Sequence, residues 1–114
     1  MKKFCMLAAA ALGLVAVILA AVVQHNYNLT ESDAQSVETA LLYNLVHAVL
    51  MVELAKRHKY ICMVFCAGTV LFSGAIYGSV LLGFSYVAPL APAGGGLLII
   101  GWFMLFITAL RNRI

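Results

Sequence analysis

His47 lies near the middle of an apolar stretch, with Tyr43 and Asn44 one helical turn before it. At about 100° per residue, Ala40, Tyr43, Asn44, His47, Met51 and Leu54 share one helix face. Histidine changes charge near neutral pH, and an ionisable group deep in a membrane is a functional candidate by default. Two chemistries follow: proton-linked transport, or a neutral imidazole that bonds to a neighbouring helix and fixes its register. Counting equal distances from a turn near Arg57 sets His47 opposite Gly68 and Thr69, Asn44 near residues 71–73, and Glu38 near Tyr77. Thr69, Ser73 and Tyr77 are four apart on one stripe. The candidate polar seam is therefore Glu38, Tyr43, Asn44, His47, Thr69, Ser73 and Tyr77. If Glu38 is helical, it lies about 180° from His47 and the two do not form one site.

Other residue sets argue against a reaction. No paired acid and base shares a depth with His47, so no catalytic site is expected. His25, His47 and His58 fall at three depths, which leaves no axial pair for a haem within one chain. Cys5, Cys62 and Cys66 read as small apolar packing residues, because no further metal ligands stand near them in the sequence. Gly94, Gly95 and Gly96 lack the following Lys of a phosphate-binding loop. No cofactor and no metal is expected. Glu53 with Lys56 and Arg57 makes a solvated pair at a helix end. Trp102 sits mid-helix rather than in an interfacial belt, so its indole N–H should face protein.

The elements that would position these residues are four apolar spans. The chain has 114 residues, 65% hydrophobic and 10% charged, against about 25% charged in soluble domains. A crossing helix needs about 20 residues. The expected helices cover about residues 4–23, 37–55, 60–83 and 95–110, in one integral membrane domain. Between the first two lies a polar loop, 24–36, with an N-cap signal at Ser36. Ser85 to Pro92 reads as a Pro-rich turn. Met1 to Val23 resembles a secretory signal, but its apolar run is longer than the usual 7–15 residues, so a retained helix is expected.

All seven basic residues stand at one set of helix ends: Lys2, Lys3, Lys56, Arg57, Lys59, Arg111 and Arg113. That bias predicts both termini on the cytoplasmic side. Short juxtamembrane clusters suit anionic lipid rather than nucleic acid. Small residues mark where helices can touch: Gly74 and Gly78 form a G-x-x-x-G pair, and Ala9, Gly13, Ala16 and Ala20 share a face of the first helix.

Glu38-Thr39-Ala40, Tyr43 and His47-Ala48 form one signature; Leu71-Phe72-Ser73-Gly74, Tyr77, Pro92, Gly94-Gly95 and Gly101-Trp102 form a second. Together they resemble the YgdD-like small membrane proteins, a group of unknown function, over roughly Val37 to Leu110. Ile18 to His25 departs from that pattern. The resemblance implies a four-helix inner-membrane protein and brings no reaction or ligand. The expectation is an all-α membrane protein, a compact bundle of the bacterial cytoplasmic membrane with both ends inside. It would be a non-enzymatic accessory or interaction protein. Gly74, Gly78, Gly101 and Trp102 are expected to be helix-packing residues, the small ridges joining the helices of the bundle itself or, alternatively, a second copy or a partner helix. Its partners would be the bilayer and either a second copy or a larger membrane complex. The alternative is a small-solute or proton-linked carrier with His47 at the midplane.

Overall fold

The computed structural model describes residues 2–26 and 28–111. Arg113 and the side chain of His25 lie outside what is described. Four helices build the fold: α1 Lys2–Asn26, α2 Glu31–Arg57, α3 Lys59–Ile76 and α4 Leu90–Leu110. A π turn, Tyr77–Leu81, continues α3, and a 3-10 turn, Ser85–Val87, precedes α4. Among the described residues there is no strand. Lys2–Gln24, Glu31–Arg57, Lys59–Leu81 and Ser85–Leu110 are each long and apolar enough to cross a membrane. Helices are the form such segments must take, because lipid offers the backbone no hydrogen bonds. Large apolar side chains accordingly cover the outside, among them Leu7, Ile18, Val49, Ile99 and Phe103.

Three element ends differ from the sequence expectation, each for a local reason. The second helix starts at Glu31, not near Val37. Its cap is Thr30 rather than Ser36; the Thr30 Oγ1 accepts from the Asp33 N–H at 3.1 Å. Glu31 and Asp33 then stand in the first turn, where carboxylates favour the positive end of the helix dipole. The polar stretch read as a loop is the wet end of a helix of 27 residues, about 40 Å long.

The fourth helix starts at Leu90, with Pro89 at its cap. Pro92 falls in the first turn, where a missing N–H costs little, and the three glycines are helical. The third helix loses α geometry at Ile76 and closes through the wider π turn. That turn ends at Leu81, two residues before the expected Gly83; Gly83 itself has a φ of 78°, which suits glycine, and the Phe84 N–H reaches back to the Gly78 carbonyl at 2.9 Å.

Between α2 and α3 the chain reverses on one residue, His58, whose N–H bonds to the Leu54 carbonyl at 2.8 Å. Beside it Arg57 Nε lies 3.5 Å from Glu53 Oε1, both well exposed; such a pair contributes about 0.5 kcal/mol or less. Near this turn Cys5, Ala9, Met51, Leu54, Ile61, Cys62, Phe65 and Leu98 form the core. Cys5 and Cys62 are fully buried free thiols, and their sulfurs lie 3.8 and 3.6 Å from the Lys59 and Met51 carbonyls.

The central helix is α3, which touches the other three; α1 and α2 pack along each other, and α4 packs along α3. What lets α4 approach is glycine on both sides. A methyl on Gly94 would run into the Phe72 backbone nitrogen, lie 2.7 Å from the Phe72 Cα and 2.8 Å from the Gly68 carbonyl oxygen. One on Gly68 would lie 2.9 Å from Leu98 Cδ2. Gly101 faces the ring of Phe65, 2.7 Å from where its own Cβ would be.

Candidate functional site

The face of α2 that carries Asn44 and His47 is turned inward; both side chains are buried, as are Thr69 and Ser73 on α3. Ser73 Oγ–H donates to the Ala40 carbonyl at 2.8 Å, and Asn44 Nδ2–H donates to Tyr77 Oη at 3.0 Å. These bonds tie α2 to α3 along the stripe of Ser73 and Tyr77. Thr69 Oγ1 and Asn44 Oδ1 are buried and make no hydrogen bond among the described residues.

His47 belongs to a different junction. Its Nδ1 lies 2.7 Å from the Tyr43 carbonyl oxygen, and Trp102 Nε1–H donates to its Nε2 at 3.0 Å. An indole nitrogen only donates and a carbonyl only accepts. The two bonds therefore hold the imidazole neutral, with its proton on Nδ1 and its lone pair on Nε2 facing α4. Phe65 completes a triangle of rings: His47 to Phe65 5.3 Å, His47 to Trp102 5.9 Å and Phe65 to Trp102 5.5 Å between centroids. Tyr43 stands above it, its ring stacked on Phe72 at 5.0 Å.

The remaining expected site residues go elsewhere. Glu38 is helical and exposed, beside a hollow shared with Ala20, Val23 and Leu41 on the α1 side of α2. It does not reach Tyr77, because nine residues from His47 turn it to the far side of α2. Gly74 is exposed, and a methyl there would touch nothing within 4 Å; Gly78 is buried under Val87. The G-x-x-x-G pair therefore does not join the helices of this bundle, a task done by Gly68, Gly94 and Gly101. One participant that sequence reasoning passed over is Phe65, which nothing distinguishes from other apolar residues until α4 is placed; Phe72 stood in the second signature with no role attached.

Where α4 leans away from α2, a cleft of about 520 Å³ opens, lined by Tyr43, His47, Phe72, Gly95, Gly96 and Trp102, with Pro92, Leu98 and Ile99 at its edges. Its walls are aromatic and apolar. Tyr43 is 40% exposed and Trp102 46%. Among the described residues, no group of three or more His, Cys, Asp or Glu side chains could hold a metal ion.

A family model described as "Protein of unknown function (DUF423)" matches residues 19–95, more than half of the chain. The chain belongs to the DUF423 family. The match includes the α1 end and the Thr30 cap of this DUF423 protein, as well as the α2–α3 seam and Gly94. It stops short of Gly101 and Trp102. No solved structure matches the chain.

Proposed function

We propose that this DUF423 protein is a non-enzymatic interaction protein of the bacterial cytoplasmic membrane, and that it assembles through the outer face of α3. The observation that carries this reading is Gly74. Gly74 is left free by the bundle's own packing, whereas Gly78 is covered by Val87, and Gly74 lies in an apolar hollow of about 320 Å³ with Val70, Leu71 and Ala75 along α3, Gly78 in the π turn, and Phe84, Val87 and Leu90 beyond it. A small residue on a lipid-facing ridge lets a second helix approach closely. A proton-linked carrier draws less support, because both nitrogens of His47 are already bonded in one fixed tautomer.

Gly74→Leu tests this, since a Cβ at that position meets nothing within 4 Å in the monomer and the hollow beside it has room for the rest of the side chain. The variant should keep its thermal stability within about 0.5 kcal/mol and lose its oligomer or its co-purifying partner in native mass spectrometry. An unchanged assembly would refute this use of the face.

Orientation can be checked separately. The basic residues Lys2, Lys3, Lys56, Arg57, Lys59 and Arg111 gather at one end of the helices, which supports both termini inside. A cysteine placed at Ser32 should react with a membrane-impermeant maleimide added to intact cells, and one placed at Arg57 should not. The reverse pattern would invert the topology.

A further inference from the structure

Two polar atoms of the seam between α2 and α3, Asn44 Oδ1 and Thr69 Oγ1, stay without a hydrogen bond among the described residues, and both residues are 0% exposed. They stand at one level. Ser73 meets the Ala40 carbonyl across the seam. One helical turn toward the α2–α3 reversal, on each helix, Asn44 faces Thr69. Farther along, Cys62 meets the Met51 carbonyl, which keeps the same register. Both side chains point across the seam. Asn44 donates to Tyr77 Oη, and Thr69 shares a stripe with Ser73, four residues on. Neither atom is served by its own helix. Thr108 on α4 shows the usual alternative, donating to the Met104 carbonyl one turn back at 2.8 Å; the Thr69 hydroxyl makes no such bond. The Asn44 amide spends its nitrogen on Tyr77 and leaves its oxygen on the other branch. The two atoms do not bond each other either. A buried polar atom left unpaired is strongly unfavourable, and lipid reaches neither, because both residues are fully covered.

What the pair needs fits one small molecule. An amide oxygen only accepts, whereas a hydroxyl both donates and accepts. A water can give one proton to Asn44 Oδ1 and take the Thr69 proton on its own oxygen. A metal cation asks for about six oxygens, and this level of the seam supplies two from side chains. The acid on α2 nearest in sequence, Glu38, turns to the α1 side.

We propose that α2 and α3 hold a single buried water between Asn44 Oδ1 and Thr69 Oγ1. The seam is then hydrogen-bonded without a gap from Tyr77 through Asn44 to Thr69. The site shares no residue with the Gly74 hollow, so it stands whether or not that face assembles. The first test is the sign of one substitution. Thr69→Val replaces the hydroxyl with a methyl of similar size. With the water in place, the variant loses a hydrogen bond, and the unfolding equilibrium constant in mixed detergent and dodecyl sulfate micelles should rise about five-fold. Were Thr69 unpaired, valine would remove a desolvated hydroxyl and the constant would fall. A fall, or no change, would overturn the proposal. The second test uses the unaltered chain. Crystals grown from a lipid mesophase, diffracting well enough to show ordered water, should place density about 2.8 Å from both atoms. A direct bond between the Asn44 amide and Thr69, or no density between them, would refute the site. Exchanging sodium for potassium in the buffer should leave the stability unchanged; a sodium-dependent stability would put a cation there instead of water.

Discussion

Gly94→Ala should destabilise the bundle by about 3 kcal/mol, the upper end for inserting one methyl into a filled space. The reason is what the methyl meets. The Phe72 backbone nitrogen, the Phe72 Cα and the Gly68 carbonyl oxygen are all main-chain atoms of α3, and none can rotate away as a side chain would. To admit the methyl, α4 must slide or tilt off α3, which also pulls Trp102 from His47 and Gly101 from Phe65. Two comparison positions lie in the same turn of the helix. Gly95→Ala brings an ordinary contact with Phe72 Cδ1 at 3.8 Å, and Gly96→Ala meets nothing. Both should be neutral or stabilise by up to about 1 kcal/mol, the helix propensity that alanine adds over glycine. Unfolding in mixed detergent and dodecyl sulfate micelles gives the comparison. A Gly94→Ala variant as stable as Gly96→Ala would show that α4 does not depend on this crossing.

That crossing also explains where the sequence stops being legible. The inward face of α2 can be read from its 3.6-residue period, because Asn44 and His47 must leave lipid, and a tight turn brings Ser73 of α3 within reach of it. The start of α2 is not legible in the same way. Polar residues from Glu31 to Ser36 suit a loop and the wet end of a helix equally, and only the Thr30 to Asp33 cap separates them. The run Gly94-Gly95-Gly96 after two prolines looks like a break, yet Gly94 packs directly against the backbone of α3 at Phe72 and Gly68. With α4 begun too late and its glycines set aside, nothing in the sequence could bring Trp102 to His47, although mid-membrane placement does require its N–H to find an acceptor. The G-x-x-x-G pair misleads in the other direction. Spacing alone cannot say which side of α3 meets its own bundle, and here Gly68, in no such pair, does that work.

His47→Ala should cost about 3 kcal/mol, combining a void beside Phe65 with the lost tie between α2 and α4. A truncation this large mixes packing with hydrogen bonding, so the bond itself needs a cycle. Trp102→Phe keeps an aromatic ring against Phe65 and removes the donor, for about 1 kcal/mol from the hydrogen bond, beside the packing lost with the smaller ring. If the 3.0 Å bond between Nε1 and Nε2 carries the coupling, the double variant should be less destabilised than the two single losses added together, by about 1 kcal/mol. His47→Gln then separates position from proton chemistry. A glutamine oxygen can accept from the indole N–H and should recover much of the stability lost in His47→Ala, although glutamine cannot exchange a proton near neutral pH. A tie between helices survives that substitution, whereas a proton relay does not. Additive losses around the cycle would remove the bond from the account. A His47→Gln protein no more stable than His47→Ala would mean that the imidazole ring, rather than its lone pair, holds α4 in place.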